Sequence, residues 1–315
     1  VTQPHYDEGP APAADAGVPA FWRALGLPGL ADIHVHAMPP RLQARVWEYF
    51  DRAGPLVGRD WPVTYRWPLR RRAAHLAGMG VRAFSALSYA HRPGMAEALT
   101  RWSLAAAART AGMLPSATFF PEPGVLDQVR GALDGGARVF KVHLQVGGFD
   151  PREPVLDPVW GLLAEAGTPV VVHAGSGPVA AGWTGPGPIG DVLARHPRLT
   201  AVIAHLGAPE YAGFLALADR YPRVMLDTTM AFTPFFEAMA PFPADLRPAL
   251  RDLGLAGRVL LGSDFPTIPY PYAQQLRSLA DLDLGDAWLA AVCWHNAARL
   301  LGLPAADDGG SGPPG

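Results

Sequence analysis

The sequence predicts a single-domain α/β protein folded as a (β/α)8 TIM barrel with a long first βα loop. Three observations carry that expectation. Short β-rich runs alternate along the chain with helix-like stretches, the pattern of a parallel sheet with right-handed crossovers. Eight such units fit within 315 residues. The chemically loaded residues fall at the C-terminal ends of the runs, the face on which the loops of a barrel build a site. A doubly wound open sheet is the rival, but no glycine-rich dinucleotide loop follows the first run.

The elements follow in order. LADIHVH (30–36) alternates, so Asp32, His34 and His36 share one face while Ile33 and Val35 take the other. VRAFSALSY (81–89) leads to Tyr89 and His91, and PSATFF (115–120) to Glu122. ARVFKVHL (137–144) sets Lys141 and His143 on one face. TPVVVHA (168–174) carries His173 at its C-terminal end. LTAVIAH (199–205) closes on His205, RVMLDTT (223–229) carries Asp227 and Thr229, and RVLLGSD (258–264) ends at Asp264. Helices are predicted over Leu69–Met79, Met95–Ala111, Val125–Asp134, Pro158–Ala166, Pro188–His196, Tyr211–Tyr221 and Ala244–Leu253, with a last one near Asp286–Leu301. The ends, 1–18 and 304–315, are rich in Pro, Gly, Ala and Asp and are expected to be disordered, leaving 19–303 as the barrel.

Composition narrows the function. Apolar residues make up 49% and charged residues 17%, which suits a soluble protein with a large core. A formal charge of −2 gives no reason to expect nucleic acid or an anionic membrane as partner. No apolar run approaches the ~20 residues of a membrane helix. The N-terminus has no basic segment followed by an apolar one, so a cytoplasmic location is expected. The single cysteine, Cys293, excludes an intrachain disulfide framework and a thiolate metal cluster, and its helical setting marks it as a small buried hydrophobe.

His34 and His36, taken alone, are either half of a divalent-metal site or two ordinary histidines. Their address at the end of the first of eight runs, with Lys141, His143, His173, His205 and Asp264 at matching ends, favours the metal. At this point the sequence resembles the amidohydrolase superfamily, through DIHVH, VVHAG, AHLG and GSDFP in that order over about 30–302. It looks most like the metal-dependent branch that includes aminocarboxymuconate semialdehyde decarboxylase and related hydrolases. The resemblance implies that His34, His36, His173 and Asp264 bind a divalent ion, Zn2+ or another such as Mn2+, one per chain. It implies that His205 assists the chemistry or helps hold a second ion. It also leaves Lys141 either a plain lysine or a carbamylated bridge between two ions. Asp32, deeper on the same face, is expected to orient a histidine or hold the strand rather than touch the ion.

Zinc held this way lowers the pKa of its water to near ~7 and polarises a carbonyl. Asp264 then acts as general base and acid, and His205 as an oxyanion donor. The set suits hydrolysis of an amide, lactone or other cyclic C–N or C–O bond by a metal-activated water. The alternatives are non-oxidative decarboxylation of an aromatic or unsaturated acid, a non-catalytic binding barrel, or a member that works without metal. The substrate is expected to be a small molecule. The first βα loop, Ala37 to about Trp67, holds aromatics and the arginines Arg41, Arg45, Arg52, Arg59 and Arg66. It can wall a pocket, grip a carboxylate, or make the contact of a homodimer. Tyr89, His91, His143, Ser176, Trp183, Arg41 and Trp47 are the candidate substrate contacts.

Overall fold

A computed structural model describes residues 11–304. Eight strand positions succeed one another round a barrel: Leu30–Asp32, Val81–Ser85, the pair Met113–Leu114 and Ser116–Thr118, then Val139–His143, Val170–His173, Ala201–Ile203, Val224–Asp227 and Val259–Leu260. Every neighbouring pair is parallel. The ladder is interrupted in strand 3, at Pro115, which has no N–H to donate, and between strands 8 and 1. The Pro115 carbonyl still accepts from the Arg138 N–H at 2.8 Å. Strand 8 meets strand 1 through Ile33 N–H to the Leu261 carbonyl (2.9 Å), Asp264 N–H to the His34 carbonyl (2.9 Å) and His36 N–H to the Phe265 carbonyl (2.7 Å). Those bonds close the barrel and bring the two ends of the sequence pattern, DIHVH and GSDFP, into one place.

The strands are shorter than the β-rich runs of the sequence, for a reason tied to the site. Regular pairing stops at Asp32, Ile203 and Leu260, and the segments beyond bend to present their side chains. His205 and Leu206 lie at φ 55 and 54, and Asp264 at φ 69. Left-handed backbone at a non-glycine residue costs ~1–3 kcal/mol and persists only where surrounding bonds hold it. Here Asp227 Oδ1 accepts the His205 N–H at 3.0 Å, and the Asp264 carbonyl accepts from the Thr267 N–H and hydroxyl, both at 2.9 Å.

The outer helices match the expected ones to within a few residues, and Val125–Asp134 matches at both ends. Two departures matter. The first loop is not irregular: Pro39–Pro40 starts a helix over Pro40–Phe50, and a short one follows at Gly54–Val57. Residues 11–18, expected to be part of a disordered terminus, are instead tied to the barrel. The Asp15 carboxylate accepts from the Tyr65 hydroxyl, from the Ala273 N–H at 2.9 Å, and lies 2.8 Å from His75 Nε2. A helix over Val18–Ala24 follows, with Val18 and Phe21 in the core. The remainder of that expectation, 1–10 and 305–315, lies outside the described residues. Cys293 is fully buried, and burial pushes its thiol up to about 12. Among the described residues no helix is long and apolar enough to cross a membrane.

Candidate metal centre

Six aromatic rings close a circuit round the barrel mouth. Their centroids are separated by 5.1 Å (His34–His36), 6.0 Å (His36–Tyr89), 5.0 Å (Tyr89–His143), 3.8 Å (His143–His173), 4.8 Å (His173–His205) and 5.3 Å (His205–His34). Each ring comes from the end of a strand or the first residues after it, so the barrel itself sets their order. Asp264 and Lys141 reach into the same space. The Asp264 carboxylate lies 2.8 Å from His36 Nε2 and 3.5 Å from His34 Nε2, and the Lys141 amine lies 3.1 Å from His34 Nε2.

The outward nitrogens fix which atom each histidine offers. His34 Nδ1 lies 2.8 Å from Asp227 Oδ2, an acceptor without a proton, so the imidazole proton sits on Nδ1. His36 Nδ1 donates to the Leu87 carbonyl and His205 Nδ1 to the Thr229 carbonyl, each at 3.1 Å. His34 and His205 therefore turn an Nε2 lone pair inward, while His36 meets an acceptor at each nitrogen, the Leu87 carbonyl and the Asp264 carboxylate. The ligand atoms of His34, His36 and Asp264 lie within 4.8 Å of one another, and two imidazole nitrogens with a carboxylate oxygen suit Zn2+ or Mn2+. His173 stands two rings away from that group, stacked on His143 with the planes 13° apart.

Charge follows the same geometry. Burial pushes the His34 ring down to about 4, with the neighbouring Lys141 adding to the effect, so His34 is neutral. His143, His173 and His205 are also lowered, chiefly by burial. Asp227 is buried too, which works against its charge, yet His34 holds it ionised at about 2. Asp264 is likewise held well below the usual carboxylate range by His36 in spite of burial. Burial lowers the Lys141 amine to about 8. Asp32 accepts from the backbone N–H of His34 (3.1 Å), the Ser263 hydroxyl (2.6 Å) and the Tyr272 hydroxyl (2.9 Å), so it holds the strand rather than the His34 ring.

The other candidates divide. Tyr89 and His143 belong to the ring circuit. His91 is exposed, as are Arg41, Arg45, Arg52 and Arg66. Arg66 is paired with Asp51, and Arg59 donates to the Phe235 carbonyl at 2.7 Å with its guanidinium over that ring. Ser176 is spent on structure, since its hydroxyl and N–H both bind the Glu210 carboxylate. Trp183 donates to the Leu144 carbonyl at 3.2 Å. Trp47 is half-buried on the first-loop helix, and its indole nitrogen has no partner among the described residues. His205 as a neutral ring gives its Nδ1 proton to Thr229 and offers a lone pair at Nε2, so it donates to an oxyanion only when protonated.

Two residues gain roles that sequence reasoning did not assign. Asp227, fully buried, orients His34 and holds the backbone of His205 and Thr229. Its place at the end of strand 7 was the available signal, but nothing in DTT says which histidine it faces. Arg72 is buried without a carboxylate partner among the described residues and donates to Gln43 Oε1 (2.9 Å) and the His36 carbonyl (3.4 Å). It thereby joins the first-loop helix to the segment that carries His34 and His36. Above the centre, Phe236 stacks on His205 at 5.7 Å, while Phe235, Trp61 and Phe50 continue the aromatic surface at 4.9 Å spacings into the first loop.

The amidohydrolase family model matches residues 31–303. Among solved structures, an uncharacterised TIM-barrel protein from Bordetella bronchiseptica aligns at 20% identity with a TM-score of 0.69, covering 87% of this chain and 99% of its own. A probable 2-pyrone-4,6-dicarboxylic acid hydrolase from Acinetobacter baumannii, with citric acid bound, aligns at 13% identity and TM-score 0.59, covering 87% and 99%. A 5-carboxyvanillate decarboxylase from Novosphingobium aromaticivorans, complexed with manganese and 4-hydroxy-3-methoxy-5-nitrobenzoic acid, aligns at 15% identity and TM-score 0.57, covering 89% and 97%. At these identities the likeness is one of fold. No curated protein matches the sequence.

Proposed function

Because the chain belongs to the amidohydrolase family, we propose that it is a divalent-metal-dependent hydrolase of a small molecule, opening an amide, lactone or other cyclic C–N or C–O bond. The observation that carries this reading is the convergence of His34 Nε2, His36 Nε2 and an Asp264 oxygen within 4.8 Å. Asp227 favours the ligand tautomer of His34, and His36 gives its Nδ1 proton to the Leu87 carbonyl. We assign His173 as a further ligand and one ion per chain, Zn2+ or Mn2+. When bound, such an ion supplies Lewis acidity toward a substrate oxygen and makes water at the site more acidic. The remaining steps belong to the protein. Asp264, held ionised, takes the proton from water and returns it to the leaving group. The inward lone pair of His205 accepts a proton or a hydrogen bond. The Phe236–Phe235–Trp61 wall gives a flat substrate a face to lie on.

That wall also favours a second reading, non-oxidative decarboxylation of a planar aromatic acid. The decarboxylase neighbour, whose own structure holds a nitrobenzoic acid, supports keeping it. Chelator-treated protein reloaded with Zn2+ or Mn2+ separates the cases when offered lactones, cyclic amides and hydroxybenzoates. Ring opening is followed by absorbance and decarboxylation by released CO2. Turnover is expected to return with about one ion per chain and to be abolished in His34→Ala and Asp264→Asn. Full activity in metal-free protein overturns the metal-dependent reading.

A further inference from the structure

His143 differs from His34, His36 and His205 in the hydrogen bond made at Nδ1. It sits on strand 4 two residues beyond Lys141, facing the same interior, and pairs in register with His173. Its ring stacks on His173 at 3.8 Å, so position alone makes either one a ligand. What distinguishes His143 is its own hydrogen bond. His143 Nδ1 accepts the Val146 N–H at 3.3 Å, where the chain turns through Leu144–Gly147. A nitrogen that accepts cannot carry the proton of a neutral imidazole, so in His143 the proton lies on Nε2. Nε2 lies on the far side of the ring from the Nδ1 that meets Val146, and the ring centre is 5.0 Å from that of Tyr89. A metal at Nε2 requires that proton to move to Nδ1, with loss of the Val146 bond, or to leave the ring. His34, His36 and His205 have the opposite arrangement at Nδ1, giving its N–H outward, and in His34 and His205 this leaves a lone pair on Nε2.

We propose that His143 is not a metal ligand but the neutral hydrogen-bond donor of the site, holding a substrate carbonyl or carboxylate oxygen through Nε2–H. It takes the part that His205, with its inward lone pair, cannot fill as a neutral ring. The donor is built in: the ring is 8% exposed, its other nitrogen is occupied, and its face lies against His173. A fixed donor already desolvated at the place where an oxygen binds costs no reorganisation when the oxygen arrives. The proposal rests on the reading of this centre as a small-molecule active site.

The test uses Zn2+-loaded protein with 15N-labelled histidine, together with the variants His143→Gln and His143→Leu. Glutamine carries an N–H at the same reach as Nε2 and leucine carries none. Both lose the Val146 bond, so their difference isolates the donor. Long-range 1H–15N spectra, with His143 assigned by its absence in the variants, are expected to show its proton on Nε2 and the proton of His36 on Nδ1. Zinc per chain is expected to be equal in all three proteins. Benzoate and δ-valerolactam serve as carboxylate and carbonyl probes by calorimetry. The leucine variant is expected to bind whichever probe the wild type takes at least tenfold more weakly, with glutamine within about threefold of wild type. A proton on Nδ1, zinc lost in His143→Leu, or equal probe affinity in the two variants overturns the proposal. So does a wild type that binds neither probe. Metal-restored turnover with no effect of His143 leaves the hydrolase reading standing, so the two fail separately.

Discussion

Replacing Asp227 by asparagine changes one atom and should disarm His34 from behind. The carboxylate, fully buried, takes the His34 Nδ1 proton on Oδ2 at 2.8 Å while Oδ1 accepts the N–H groups of His205 (3.0 Å) and Thr229 (3.1 Å). Asparagine can keep the two backbone bonds through its single carbonyl oxygen. Its amide then faces His34, where donor meets donor. The ring responds by moving its proton to Nε2, the atom that faces Asp264 and Lys141. A charge-assisted bond in a buried site is worth ~1.5–3 kcal/mol. Loss of a partner behind a ligating histidine typically costs ~10–100-fold in metal affinity, or ~1.4–2.7 kcal/mol. The two ranges agree, so Zn2+ affinity in Asp227→Asn is expected to fall by ~10–100-fold, measured by competition with a chromophoric chelator. Far-ultraviolet circular dichroism should stay at wild type. Wild-type affinity in a folded Asp227→Asn protein refutes the orientation of His34 by Asp227.

Two further outcomes follow from the same geometry. His34 has an ordinary value of 6.5 and is pushed down to about 4 by burial, so between those pH values the unfolded chain binds the extra proton. Its stabilising contribution is complete above pH ~6.5 and is lost as pH falls toward ~4, up to ~3 kcal/mol for this group alone. Urea unfolding of metal-free protein should show the loss between pH 7 and pH 4.5, and a flat profile there contradicts a neutral buried His34. Gly262→Ala places a methyl group 2.1 Å from Thr229 Oγ1, 3.0 Å from His34 Cβ and 3.2 Å from the Asp227 carboxyl carbon. Strands 1, 7 and 8 must then separate, at a cost of ~1–3 kcal/mol. A lowered urea midpoint with weakened Zn2+ binding is expected, and unchanged values in both dispute the close packing.

The alternation of strand-like and helix-like stretches was enough to reach the barrel, because burying a parallel sheet on both faces demands that pattern. DIHVH was legible in the same way: a period of two puts His34 and His36 on one face whatever the rest of the chain does. Helices inside the first loop were not legible, since Pro40–Phe50 carries arginines and glutamine among its aromatics and buries only Gln43 fully. The same holds for the anchoring of residues 11–18, where one carboxylate, Asp15, reaches partners far along the chain.

By itself, then, the sequence determined which residue types arrive at the barrel mouth and in what order, because strand order and side-chain alternation are local properties. Only the tertiary structure decided what each histidine offers there. Direction on an imidazole is set by whatever meets its outer nitrogen, and those partners come from elsewhere in the chain: Asp227 for His34, the Leu87 carbonyl for His36, the Thr229 carbonyl for His205. For His143 the partner is an N–H only three residues away, and that single reversal of donor and acceptor separates it from its neighbours. No spacing rule contains that information, because a proton's position depends on a contact made only once the loop beyond the strand has turned back on it.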